Sequence, residues 1–312
     1  RPGIFEAQPR PGGMLVQAIP EYRLPRETLA REIRMIERLG VEIRTEQKLG
    51  KDFTLESLKE EGYEALFMGV GAAACVGLDV PGGEGSGIAE AGEFLRQYNV
   101  RGSVPVGKEV IVVGGGNAAV DAARTAVRLG AEVTILYRRT REQMPAYSEE
   151  IEEALHEGVK LLILTQPEEV LRDESGAITS VRCRPLSLGE FDRSGRRKPR
   201  PGEGALFDLP ADQVIVAIGQ RLDLPGFAGN GQTSPDKLAA ALEHNESSFI
   251  AADPVTGQTS VPWIFAGGDA VSGPSSVVEA IAAGERAAYG IDLMLTGEDH
   301  AFWREEKVVD TA

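Results

Sequence analysis

Hydrophobic and polar positions along the chain change period several times, and each change predicts an element. The clearest stretch is Glu109-Val110-Ile111-Val112-Val113, a short β-branched run that ends in Gly114-Gly115-Gly116 and reads as a buried parallel strand. Apolar residues then recur at helical spacing (Ala118, Ala119, Val120, Ala122, Ala123, Ala126, Val127, Leu129) up to Gly130, a helix stop. A second strand, Glu132 to Tyr137, closes on Arg138-Arg139. Strand, helix and strand within about thirty residues make a βαβ unit. Leu29, Ile33, Ile36 and Leu39 predict a core-facing helix before Gly40, and Ile151 to Leu155 a packed helix with an acidic outer face. Ile4-Phe5-Glu6-Ala7 reads as the end of a strand. The segments 66–72, 214–219 and 263–269 read as strands running into glycine turns, and Ser275 to Gly284 as a serine-capped helix. Ser187 to Gly204, rich in Gly, Arg and Pro, reads as a hairpin loop.

The glycines between the first strand and its helix carry chemistry. Gly114-x-Gly116-x-x-Ala119 is a dinucleotide fingerprint with alanine in its third place. The first glycine makes the tight turn, the second lets a pyrophosphate approach, and the small third residue lets helix and strand pack closely. The helix start at Asn117-Ala118 then offers backbone N–H groups to the diphosphate. At the end of the second strand an acid would bind a ribose 2′-hydroxyl, whereas arginine accommodates a 2′-phosphate. Arg138 and Arg139 therefore favour NADP, with NAD as the alternative and a solvated basic turn as the reading without a ligand. Glu6 and Asp269 stand at the ends of two further strands, where a carboxylate can accept from ribose or polyol hydroxyls; a plain turn is the other reading of Asp269.

Composition narrows the field. The chain has 312 residues, with 33 basic and 48 acidic side chains, for a net charge of −15. That field opposes nucleic acid and anionic membrane as partners. No apolar run approaches the ~20 residues that span a bilayer, so a soluble cytoplasmic protein is expected. Cys75 and Cys183 form neither a CxxC pair nor a metal cage, so no metal site is predicted. No His, Ser or Cys constellation marks a catalytic residue.

Taken together, the motifs resemble the two-dinucleotide flavoprotein reductases, in particular the small (β) subunit of NADPH-dependent glutamate synthase and related pyridine nucleotide-disulfide-like oxidoreductases. The residues carrying the resemblance are Pro11-Gly12-Gly13-Met14-Leu15, Ile19-Pro20-Glu21-Tyr22-Arg23-Leu24-Pro25, Gly114 to Arg124, Tyr137-Arg138-Arg139, Met144-Pro145-Ala146, Val214 to Gln220, Thr256 to Ser260, and Gly267-Gly268-Asp269 through Gly284. The resemblance implies an α/β fold of two Rossmann-like dinucleotide-binding domains, the NAD(P) domain inserted into the FAD domain. Residues 1–103 and 221–300 would form the FAD domain, 104–220 the NAD(P) domain and 301–312 a C-terminal tail. It further implies FAD contacts from Glu6, Gly13, Arg23, Gly71, Gly219, Gly268, Asp269, Ser276, Val277 and Glu279. The chain matches the family from its second flavin strand onward, without the first flavin strand and glycine loop. The activity implied is hydride transfer from NADPH to FAD, with electrons leaving to iron–sulfur clusters of another segment or subunit. The glutamate synthase large subunit and a ferredoxin are candidates for that partner, with a quinone-linked complex or a sulfur- or formate-metabolising partner as further alternatives. A non-catalytic NADP(H)-binding or scaffolding subunit, and an NAD(P)H:ferredoxin oxidoreductase subunit, are the competing readings.

Overall fold

The computed structural model describes residues 2–191, 195–224 and 236–300. The expected tail at 301–312 lies outside the described residues. In chain order the elements are β1 (Gly3–Phe5), α1 (Met14–Gln17), α2 (Arg26–Arg38), β2 (Glu42–Arg44), α3 (Leu55–Glu60), β3 (Leu66–Met68) and β4 (Ala74–Cys75). Then come β5 (Ile88–Glu90), α4 (Ala91–Arg101), β6 (Glu109–Val113), α5 (Asn117–Arg128), β7 (Glu132–Tyr137), α6 (Ser148–His156) and β8 (Lys160–Ile163). They are followed by β9 (Thr165–Arg172), β10 (Ile178–Phe191), β11 (Arg197–Pro201), β12 (Phe207–Pro210) and β13 (Gln213–Val216). The remainder are β14 (Gln220–Arg221), α7 (Lys237–Ala240), β15 (Ile264–Ala266), α8 (Asp269–Ser272) and α9 (Val277–Thr296).

The chain divides into two compact units. One holds Arg1–Ile4, Pro9–Ile43 and Cys75–Gly219, and the other Phe5–Gln8, Arg44–Ala74 and Gln220–Ala312. The polypeptide thus passes between them at 4/5, 8/9, 43/44, 74/75 and 219/220. This division follows compactness; the sequence reading divides the chain by cofactor.

In the first unit β5, β13, β6, β7 and β8 form one sheet in that order, every neighbouring pair parallel. Its central strand β6 is buried on both faces, which is why its sequence is continuously apolar rather than alternating. Val110 and Val112 face a core completed by α4 and α5, including Phe94, Leu95 and the alanines of α5. Ile111 and Val113 face the other way, against Val170, Ile178, Val181 and Cys183 of an antiparallel meander. In that meander β10 pairs with β9, β11 and β12. The 187–204 segment is therefore more ordered than the predicted loop: β10 runs through Phe191, and β11 carries Pro199 and Pro201. Proline is tolerated there because β11 is an edge strand, bonded among the described residues only to β10.

The α2 helix forms where its periodicity predicts, but its stripe is not core-facing throughout. Leu29 is buried, whereas Ile36 is exposed and Leu39 is 83% exposed. Periodicity defines a face of a helix and does not say what covers it.

The second unit packs β3 and β15, a parallel pair, with α3, α7 and α9 around Leu55, Leu58, Trp263, Ile264 and Ile250. The helices α3 and α7 cap each other. Asp236 accepts from the Leu55 N–H at 2.7 Å, and Glu56 accepts from the Leu238 N–H at 2.7 Å. Among the described residues no helix is long and apolar enough to cross a membrane.

Candidate functional site

The glycine turn between β6 and α5 is built for close approach. Gly114 has φ +147, and a Cβ there would run into the Ala217 carbonyl oxygen well inside 3.0 Å. Gly115 is confined in the same way by the Tyr137 ring. Tyr137 is itself fixed, donating from its hydroxyl to the Gln143 carbonyl at 2.6 Å. Gly116 is different: a Cβ there would meet nothing within 4 Å, and its φ of −91 is ordinary. Two glycines are thus confined by neighbouring protein, while the third leaves open space in front of the helix start. That is where a pyrophosphate needs room.

The rest of the turn is fastened. Ala146 N–H donates to the Gly115 carbonyl at 3.1 Å, and Tyr147 N–H to the Asn117 side-chain oxygen at 3.1 Å. Met144-Pro145-Ala146 is therefore a buttress under the turn. Ala118 and Ala119 open α5, and Ala119 is fully buried, as close helix–strand packing requires. At the end of β7, Arg138 is exposed and Arg139 is 5% exposed. Arg139 donates from Nε to the Arg197 carbonyl at 3.0 Å.

A buried charge network runs behind this cradle. One guanidinium nitrogen of Arg23 reaches both Asp121 oxygens, at 2.8 and 2.9 Å, and its Nε reaches Glu150 at 3.0 Å. Arg124 pairs with Glu150 and with Glu157, which also accepts from Arg128 at 2.7 Å. The Arg128 and Arg124 guanidinium groups lie 3.8 and 4.7 Å from the Tyr22 ring centroid. Burial lifts the Asp121 carboxyl to about 6, with the Arg23 charge opposing it. Glu157 is also desolvated, but the hydrogen bonds from Arg128 and Arg124 outweigh this and hold it at about 2. Burial, reinforced by Asp121, pushes the Tyr22 phenol above its ordinary range. The structure thus commits Arg23, expected at the flavin, to Asp121 and Glu150. Gly13 (φ +50) and Gly219 (φ +145) lie in the same unit, each at a turn that favours glycine.

The second unit collects the other expected residues. β15 runs into Gly267 and Gly268, the latter with φ +63 at the start of α8. A Cβ on Gly267 would lie 3.0 Å from the Ala283 Cβ and 3.1 Å from the Phe67 ring, so glycine lets α9 pack tightly on the strands. Asp269 is raised by burial; its Oδ1 accepts from the Ser275 N–H at 3.1 Å. Ser276 and Glu279 form a capping box at the start of α9, and Val277, Val278 and Ile281 form an exposed apolar face there. Glu6 accepts from the Gln8 N–H at 2.8 Å, and Gly71 has φ +70.

Residues 8–284 match the sequence profile of the pyridine nucleotide-disulphide oxidoreductases. The chain belongs to that family. Among relatives, it is 45% identical over 296 residues to the protein named NADP(+)-dependent formate dehydrogenase subunit beta of Moorella thermoacetica, covering 94% of this chain and 40% of the relative. It is 33% identical to the glutamate synthase [NADPH] small chain of Escherichia coli, covering 92% and 62%. Mycobacterium tuberculosis FprA in complex with NADPH shares the fold, with a TM-score of 0.74 at 20% identity, covering 95% of this chain and 78% of that one. The chain therefore spans about half the length of these two relatives.

This pyridine nucleotide-disulphide oxidoreductase is an α/β protein of two Rossmann-like domains. The residues present fit NADP: an open cradle at Gly116, a helix start beyond it and an exposed Arg138 at the next strand end. For FAD, Asp269 and the α9 start fit the polyol and ring end, and no pyrophosphate loop for it is found among the described residues. Sequence reasoning missed Tyr137 as the wall behind Gly115. Its one signal was an aromatic immediately before the basic pair.

Proposed function

We propose that the chain oxidises NADPH through FAD and passes the electrons on, as the flavoprotein part of a larger reductase. The observation that carries this reading is the contrast among three consecutive glycines, two filled by neighbouring protein and one left open at a helix start, followed by Arg138. When bound together, the two cofactors supply hydride transfer from nicotinamide C4 to flavin N5, and no protein base is required. The chain's own contribution is binding and orientation. Gly116 and the α5 start hold the diphosphate, Arg138 meets the 2′-phosphate, and Asp269 accepts from a flavin polyol hydroxyl. The exposed start of α9 offers Val277, and the helix dipole there favours an electron-rich ring edge.

The electron exit is an iron–sulfur segment or subunit outside this chain. Its terminal acceptor follows the complex in which the chain works, and the formate-linked relative makes a formate-coupled complex a stronger candidate than glutamate synthase. An anaerobic titration of the purified holoprotein with NADPH tests the reading. Stoichiometric bleaching of a flavin spectrum supports it. A colourless protein that still binds NADPH favours a non-catalytic NADP(H)-binding subunit instead.

A further inference from the structure

The ribbon of β10 and β11 leaves the meander as an arm. β9 pairs with β10 from Ile178 to Pro185 and β12 from Ser180 to Cys183, whereas the pairing with β11 runs from Leu186 to Phe191. Beyond Pro185, among the described residues, each strand of the arm therefore has only the other as a bonded neighbour. The buried Arg139 holds the arm, donating from Nε to the Arg197 carbonyl at 3.0 Å. In a chain of net charge −15 the arm is basic: Arg196, Arg197, Lys198 and Arg200 are all exposed, with Glu190 3.7 Å from Arg200. Phe191, the register partner of Arg197, is 66% exposed, and the Arg197 guanidinium lies 5.5 Å from its ring centroid. Side chains alternate along a strand, so Lys198 and Arg200 stand on the face opposite Arg197. The Gly202 N–H donates to the Pro185 carbonyl at 2.9 Å, which makes the bonded pairs 185/202 and 187/200. Pro199 and Pro201 fall at the alternate positions, where the N–H that would face outward is missing.

Exposed aromatic and arginine side chains are the types that anchor protein interfaces. The proline edge opposes docking by addition of another strand, so contact is made through side chains. Cations on both faces call for a partner that receives the arm in a cleft rather than along one flat face. An acidic partner approaching elsewhere meets the chain's own negative field, which steers it to the arm. We propose that the β10–β11 arm docks the companion subunit of the larger reductase, seated in an acidic cleft of that subunit with Phe191 and Arg197 as the anchor. The inference rests on the place in a larger reductase proposed above for this chain.

Carbodiimide coupling of the assembly, purified from its native cells through a tag on the full chain, tests it. The reagent joins a lysine amine directly to a carboxylate in contact with it. Lys198 should couple to an Asp or Glu of a companion subunit, and K198R should abolish that crosslink while leaving the companion bound. R197E with K198E should lower the companion recovered per chain about tenfold near about 0.15 M salt. The melting temperature of the chain and its bleaching by NADPH should not change. Equal recovery of the companion with parent and variant overturns the arm's part and leaves the larger-reductase reading intact. A parent that purifies with no companion overturns both. Coupling of Lys198 to a second copy of this chain, seen by mixing isotope-labelled and unlabelled chains, gives the arm another occupant and overturns the proposal. If the charge-reversed chain melts lower, the parent's crosslink decides: no coupling from Lys198 to the companion overturns the proposal.

Discussion

Gly116→Val separates binding from folding at the nicotinamide cradle. The backbone at Gly116 has φ −91 and ψ 176, which any residue adopts, and the space beyond its Cα is open for 4 Å. The folding cost is therefore confined to replacing glycine by valine at a helix N-cap, about 1 kcal/mol or less. For a unit of this size that lowers the melting temperature by roughly 2–4 °C. The isopropyl group, however, occupies the diphosphate's approach to the α5 start. Losing that approach should weaken NADP+ by at least about a hundredfold, or ~2.7 kcal/mol. Gly115→Val is the internal contrast. Its Cβ would land on the Tyr137 ring, which is pinned through its hydroxyl, so the cost falls on stability, about 1–3 kcal/mol or more of overpacking. Calorimetric NADP+ titration and thermal melts of both variants, with flavin content recorded, make the comparison. Near-parental NADP+ affinity in a folded Gly116→Val protein would refute the placement of the cradle.

Other expectations follow from the same geometry. Replacing Arg138 and Arg139 by Glu and Thr should reverse the NADPH/NADH preference in kcat/KM; an unchanged ratio counts against the phosphate pocket. Arg23→Met should destabilise by about 3–5 kcal/mol because it strands a buried Asp121 carboxylate, and Asp121→Asn added to it should recover part of the loss in urea unfolding. Equal stability of the single and double variants would contradict this. Asp121 sits at about 6, above its ordinary 3.8, so the folded state binds the extra proton. Its contribution is present in full below about 3.8 and is lost as pH rises through 6. Glu157, held at about 2 against 4.5, does the reverse: its contribution is present above 4.5 and fades as pH falls toward 2. Asp121→Asn should thus compare best with the parent near pH 7, and Glu157→Gln near pH 3. Parallel stability–pH curves for parent and variants would negate both assignments.

The βαβ unit was readable because its signals are local: a β-branched run, a glycine turn and helical spacing follow one another within a few residues. Gly268, Asp269, Ser276 and Glu279, expected at the flavin, were local signals of the same kind, and they stand at one strand end and one capping box. What escaped depends on distant partners. Arg23 and Asp121 are 98 positions apart, so neither segment announces that the arginine is already engaged. Gly114 and Gly115 look interchangeable with Gly116 as letters, and only the neighbouring Ala217 and Tyr137 distinguish them. The proline-rich β11 reads as a loop until β10 supplies its one bonded side. The face of α2 shows a stripe, but no neighbouring element among the described residues covers its end, and Leu39 is left in water.

The five passages of the polypeptide between the two compact units bear on any attempt to dissect the protein. Neither unit corresponds to a continuous stretch of gene, so no pair of start and stop codons isolates one of them. A nick at 43/44 or 74/75 would leave two fragments that each contribute to both units, held by the noncovalent core of each. Limited proteolysis should then yield cleaved chains that still migrate as one particle under native conditions and separate only in denaturant.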